Sequence, residues 1–181
     1  MERRVLETEI FGSSVSFEYA EHWVGYSLLA MRLGMGWIFL QAGMQKLLDP
    51  TWTAAGYLRN VPSGNPFIPF WEMLAGNPAV DALVIAGLTL IGLGLILGIF
   101  VRWDAFWGSV MMLFFWASSL EGGLMQGLPV AHGWVVDSHI VYVTLLVALG
   151  EFGSGRILGL DRRLEEHSFV EQRPWLKHFL G

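Results

Sequence analysis

No cysteine occurs anywhere in the 181 residues. The chain therefore holds no disulfide, no thiolate zinc site and no Cys-ligated iron–sulfur cluster, and any redox chemistry must use a borrowed cofactor. Charge is sparse as well. Asp, Glu, Lys and Arg make up 15% of residues, the formal net charge is -5, and no basic stripe exists outside a short C-terminal tail. This argues against a nucleic-acid partner. The opening MERRVLETEIFGSSVSFEYA lacks the basic start and short apolar run of a cleaved signal peptide, so the N-terminus is expected to stay on the mature protein. No internal repeat or low-complexity tract appears, and neither a solenoid nor an inverted-repeat transporter is supported.

What the chain has instead is apolar surface. Its hydrophobic fraction is 54%, its mean hydropathy +0.49, and it carries nine Trp and twelve Phe, too apolar for an ordinary soluble domain. Long apolar runs cover residues 23–44, 80–101, 103–120 and 134–152. The first two are long enough to cross about 30 Å of hydrocarbon as helices. Arg102 separates the second run from the third, which predicts a tight helical hairpin, and the fourth is weakened by Asp137, Ser138 and His139 near its start. The expected fold is all-α: a four-helix transmembrane bundle with a long aromatic, partly helical extracytoplasmic loop between the first two spans. Residues 1–22 form an N-terminal segment, 23–152 the membrane domain and 153–181 a tail. Arg3, Arg4, Arg102, Arg156, Arg162, Arg163, Arg173 and Lys177 then share one side against Lys46 and Arg59 on the other. The positive-inside rule places that side, with both termini, in the cytoplasm of a multi-pass protein of the cell membrane.

Residues 47–79, on the outside, mix turn residues with Tyr57, Phe67, Phe70, Trp71, Met73 and Leu74. Two Asn-Pro breaks bracket a short amphipathic piece suited either to a lid over the outer mouth or to interfacial anchoring. Glycines recur inside the spans: Gly34, Gly36 and Gly43, then Gly87, Gly92, Gly94 and Gly98. They allow close helix contact, within the bundle or in a homo-oligomer, and Gly94 with Gly98 form a small-xxx-small pair.

Arg32 stands alone in the first run. A charged side chain deep in a bilayer costs from about 2.5 to 17 kcal/mol depending on the measurement, so it needs a partner or a purpose. Counting from Trp23 sets it roughly 13 Å into the membrane. Asp104 and Glu151 are the candidate ion-pair partners. The alternative is that the planar fork of the guanidinium holds an anionic or carbonyl group of a ligand such as a quinone or a lipid headgroup. Lys46, four helical turns on, points to a similar face. Gln41, Gln45, Lys46 and Asp49 close the first span at the outer level, Ser118, Ser119 and Glu121 close the third, and His132, Asp137 and His139 open the fourth. A cluster of Lys46, Glu121, His132, Asp137 and His139 suits oxyanion binding, proton relay or general acid/base work, with loop solvation and local ion pairs as the plainer account. The spacing of His132 and His139 matches no zinc or iron signature and no haem site is evident, so no metal site is expected.

The string AMRLGMGWIFLQAGMQKLLDP, with Arg32, Gly36, Gly43, Lys46, Asp49 and Pro50, resembles the opening signature of the DoxX/DoxD family of small four-helix membrane proteins. LIGLGLILGIFVRWDAFWGSVMMLFFW resembles that family's second and third helices with their short turn. GEFGSGRILGLDRRL, with Gly153, Gly155, Arg156, Leu160 and Asp161, resembles its end, and the loop AGYLRNVPSGNPFIPFWEMLAGNPAV is similar to the DoxD branch. The resemblance covers about residues 25 to 165 and implies a membrane subunit of a thiosulfate:quinone oxidoreductase, working with a second membrane or membrane-attached subunit. Under that implication Glu121, His132, Asp137 and His139 handle protons or bind the anion, and Arg32, Lys46, Gln45 and Arg59 hold substrate or quinone. A non-catalytic accessory or assembly subunit, or a lipid or small-solute binding protein, is the alternative.

Overall fold

The computed structural model describes residues 3–122, 127 and 134–181. It is mainly helical, but it opens with a β-hairpin that an all-helical expectation omits. Strand β1 (Arg3–Ile10) pairs antiparallel with β2 (Ser13–Ala20), with Arg3 opposite Ala20 and Ile10 opposite Ser13. Both residues of the two-residue connection have positive φ, Phe11 at 50° and Gly12 at 75°. That is the primed-turn geometry whose twist matches paired strands. Val5, Thr8, Ile10, Val15, Phe17 and Tyr19 supply β-branched and aromatic side chains, so strand propensity was present in a stretch that has no long apolar run to draw the eye.

Four longer helices follow the hairpin, joined by short ones. Helix α1 (Glu21–Leu47) has 27 residues and α4 (Pro78–Leu97) has 20, and both are long and apolar enough to cross a membrane. Helices α5 (Val101–Ser118) and α6 (Ser138–Glu151) are shorter. α6 starts later than the apolar run from residue 134 suggests, because Asp137 caps it: the carboxylate accepts from the His139 and Ile140 backbone N–H groups. α4 stops at Gly98, whose φ of 65° is the left-handed conformation in which a helix can end. The expected tight hairpin is therefore present, with only Gly98–Phe100 between α4 and α5.

One apolar core draws on all four helices: Leu28, Met35 and Phe39 from α1, Leu88, Ile91 and Leu95 from α4, Val101, Ala105 and Met112 from α5, and Leu146 and Leu149 from α6. The outward faces carry Trp37, Leu83, Leu90, Phe106 and Val147 in the open, a surface that suits lipid contact and not water. α1 and α4 approach backbone to backbone. A Cβ on Gly92 would lie 2.6 Å from Leu40 Cα, and one on Gly43 would lie 2.7 Å from the Thr89 nitrogen. Gly34 plays no such part, since nothing lies within 4 Å of its added Cβ. Gly94 and Gly98 depart from the small-xxx-small expectation too: they face the side chains of Asp104 and Arg32.

The long α1–α4 connection folds onto the ends of α4 and α5. It contains α2 (Ala55–Leu58) and α3 (Ile68–Leu74), and Ala54, Leu58 and Trp71 form a second small core. Asn65 is 4% exposed and holds this segment to the end of α5. Its amide donates to the carbonyls of Ala117, Ser118 and Leu120, while its oxygen accepts from Phe67 N–H and Trp71 Nε1–H. The Asp81 carboxylate accepts from the Ala54 N–H, a second tie. After α6 the chain makes short turns and helices, α7 (Asp161–Glu165) and α8 (Ser168–Glu171), and folds back under the α4–α5 turn. Leu160 and Asp161 donate their N–H groups to the carbonyls of Leu97 and Gly98.

Candidate functional site

Arg32 is 1% exposed, but it does not sit in the apolar middle of the helices. Its Nη1 lies 2.7 Å from where a Cβ on Gly98 would stand and 2.9 Å from the same point on Gly159. α1 extends past the end of α4 on this side, so Arg32 is level with the polar α4–α5 turn. Nη1 donates to the Ser154 carbonyl, and Nε has no partner among the described residues.

Neither expected carboxylate forms an ion pair with Arg32: the ion pairs among the described residues lie elsewhere. Glu151 is exposed at the end of α6. Asp104 is buried, yet its Oδ2, beside Gly94, has no partner among the described residues. The carboxyl at the centre is Asp161, which is 0% exposed. Its Oδ1 accepts from Phe100 N–H at 2.7 Å, and its Oδ2 accepts from Val101 N–H at 3.1 Å and Gly181 N–H at 3.0 Å. Burial pushes the Asp161 carboxyl above the usual carboxylate range, against the pull of those three N–H groups. Its charge reaches both Arg32 and Asp104. Beyond it, the Arg156 guanidinium makes a forked contact with Glu165 at 2.7 to 3.1 Å, which favours its charged form. Ser154 and Asp161 were not among the candidates because both lie more than 120 residues from Arg32 in sequence. The one signal that could have found them was the glycine-rich string GEFGSGRILGLDRRL: Gly155 has no room for a side chain beside Asp161 Oδ2.

At the opposite end the expected polar cluster is assembled only in part. Lys46 donates to the Ala42 carbonyl at 3.2 Å and lies 5.5 Å from the centre of the Trp52 ring. Gln45, Arg59 and Glu121 are exposed. Asp49 accepts from the Thr51 hydroxyl and N–H, which hold its carboxyl below the usual range. His132 lies outside the described residues. Asp137 and His139 do meet: Oδ2 and Nδ1 are 2.6 Å apart, while Oδ1 is anchored by two backbone N–H groups. The ring is held edge-on to Phe115, with centroids 6.1 Å apart. A carboxylate on Nδ1 leaves Nε2 without a hydrogen-bond partner among the described residues, which is the arrangement of a histidine able to transfer a proton. Tyr57, absent from the expected cluster, joins it through hydrogen bonds with Ser118 and Ser119 at 3.0 and 2.9 Å.

Residues 27–120 match the DoxX family. The chain belongs to that family. No curated protein and no solved structure matches it. The family match and the two long apolar helices together make this a membrane protein. The DoxX match runs from α1 to the end of α5 and takes in Arg32, Lys46, Asn65 and Asp104, whereas Asp137, His139, Ser154 and Asp161 lie beyond it. The Arg32 centre of this DoxX protein is thus closed by residues outside the matched stretch.

α3 and α5 of the DoxX protein also enclose an open groove of about 300 Å³, lined by Phe67, Phe70, Trp71, Val110, Leu113, Phe114 and Ala117. It offers no free hydrogen-bonding group, since the Trp71 indole N–H is taken by Asn65. Such a groove accepts a hydrocarbon chain and cannot hold a carbonyl or an anion.

Proposed function

We propose that this DoxX protein crosses the cell membrane four times, with both termini in the cytoplasm. On this reading it is the membrane subunit of a quinone-linked oxidoreductase of the thiosulfate:quinone, DoxD-like type. The Asp137–His139 pair is the observation that carries the reading, because reduction of a quinone requires two protons as well as two electrons. When bound, the quinone supplies the electron-accepting carbonyl chemistry that a cysteine-free chain lacks. The chain supplies the rest. His139 moves a proton at Nε2, and Asp137 fixes the orientation of the ring through Nδ1. Lys46 and Arg59 provide positive charge for a thiosulfate dianion at the outer face, and oxidation of two thiosulfates to tetrathionate releases the two electrons. The groove between α3 and α5 fits the isoprenoid tail of the acceptor, with its polar head outside the groove. Support for the DoxD branch comes from the resemblance of the α1–α4 connection, which folds as an ordered unit and not as a loose loop.

The test is thiosulfate-dependent quinone reduction by the protein purified with its partner subunit and reconstituted in liposomes. His139→Gln is expected to lower the rate on the order of 100-fold, the ordinary weight of a general acid/base group, with quinone binding retained. Reconstituted complex showing neither activity nor co-purifying quinone overturns the catalytic reading and favours an accessory or assembly subunit.

A further inference from the structure

The end of the molecule where α4 turns into α5 buries three ionisable side chains whose charges do not balance. Arg32, Asp104 and Asp161 are 1, 8 and 0% exposed. Two carboxyls share one guanidinium, so full ionisation would leave an uncompensated negative charge out of water, an arrangement proteins avoid. The two carboxyls are not equivalent. Asp161 spends both oxygens on the N–H groups of Phe100, Val101 and Gly181, three donors that stabilise an anion. Nothing comparable serves Asp104. Its Oδ2 is buried with no partner among the described residues and lies against Gly94 in the last turn of α4. That turn is the negative end of a helix, and the Ile99 carbonyl faces the same spot, 3.1 Å from the position of an added Gly94 Cβ. A carboxylate is repelled there. A carboxylic acid is not, because it has an O–H to offer.

Arg32 points the same way. Gly94, in the last turn of α4, faces Asp104, and Gly98, which ends that helix, faces Arg32. The two side chains thus border the same end of α4, yet the guanidinium donates to the neutral carbonyl of Ser154 and leaves Nε without a partner among the described residues.

We propose that Asp104 holds a proton and that Arg32, Asp104 and Asp161 form a proton-exchange site in which the Ser154 carbonyl and the Asp104 carboxylate are alternative seats for the guanidinium. Loss of the proton to water leaves a carboxylate that draws the guanidinium off Ser154 and loosens the segment between α6 and α7. The other charged groups nearby are engaged or turned away. Arg102 donates to the Gly150 carbonyl, Arg156 is committed to Glu165, Glu151 is exposed, and α4 brings no charge to the site. The site lies at the opposite end of the helices from the Asp137–His139 pair and does not depend on the quinone reading.

Infrared spectra of the full chain in liposomes, recorded as pH is stepped, test this. A protonated-carboxyl C=O band that shifts with isotope-labelled aspartate is expected at neutral pH. It disappears entirely in Asp104→Asn and persists in Glu151→Gln. In Asp104→Glu it loses its response to labelled aspartate and gains one to labelled glutamate, which decides the matter even if the Asn variant does not fold. The guanidinium stretching bands shift with the same midpoint as the carboxyl band. The absence of an aspartate band in the wild-type protein at neutral pH overturns the proposal, as does its survival in folded Asp104→Asn. Guanidinium bands that ignore the titration overturn the exchange of seats.

Discussion

Asp161 shows how much one side chain does when its oxygens close a backbone. The Phe100 and Val101 N–H groups open α5, where an unpaired N–H out of water is costly, and the same carboxylate also takes the Gly181 N–H. Asp161→Asn turns an NH₂ group toward donors that need an acceptor. It is expected to destabilise the fold by about 1–3 kcal/mol at neutral pH, read from thermal or denaturant unfolding in mild detergent. Because burial raises this carboxyl, the folded protein binds its proton more readily than the unfolded chain does. The stability it contributes is therefore fully present below the unfolded pKa and declines as pH rises through the higher folded value. The gap between wild type and Asp161→Asn should narrow over that window and stay level above it. A gap that widens as pH rises refutes the assignment. Arg32 was conspicuous in sequence because a charge interrupts an apolar run. Asp161 was not, because an acidic residue in a polar tail is ordinary until the fold buries it.

Elements pack here through the shape of their backbones. Glycines that look alike in sequence divide into those that admit a neighbouring helix and those that do not. Gly92 meets the Leu40 backbone across the α1–α4 crossing, whereas nothing stands within 4 Å of a Cβ on Gly34. Gly92→Ala should push the two helices apart and destabilise by an amount in the 1–3 kcal/mol range typical of overpacking. Gly34→Ala should be neutral or stabilising by up to about 1 kcal/mol, since alanine is the better helix former. Equal effects at both positions count against the crossing described. Hydropathy made α1, α4 and α5 legible as long apolar helices, and the α4–α5 turn followed from Arg102. The start of α6 was not legible, because Trp134, Val135 and Val136 extend the apolar run while the Asp137 cap sets the boundary. The β-hairpin was missed because its strands depend on alternation and a Phe-Gly turn, both weak signals beside long apolar runs.

For the whole molecule the distribution of cations and the apolar outer surface bear on orientation. The absence of native cysteine makes this open to direct measurement, since a single introduced thiol is the only one present. Ser14→Cys in β2 and Gly56→Cys in α2 are both exposed sites. With both termini in the cytoplasm, a membrane-impermeant maleimide added to intact cells should label Gly56→Cys at once and Ser14→Cys only after lysis. Labelling of both in intact cells, or the reverse order, refutes the proposed orientation. The two ends also differ in chemistry. One holds the buried Arg32, Asp104 and Asp161 with Ser154, the other the partly buried Asp137–His139 pair and the apolar groove.

Sequence alone determined the membrane character, the long apolar helices, the family and the isolation of Arg32 within an apolar run, because hydropathy, helix length and the placing of a lone charge are local properties. Only the tertiary structure decided what Arg32 touches. Its contact with Ser154 spans more than 120 residues, and the buried Asp161 carboxyl comes from a segment that returns beneath the α4–α5 turn. Partnership between buried polar groups depends on which backbones meet, and that follows from the close approach at Gly92 and Gly43 and the left-handed turn at Gly98, features that a composition or a period does not carry.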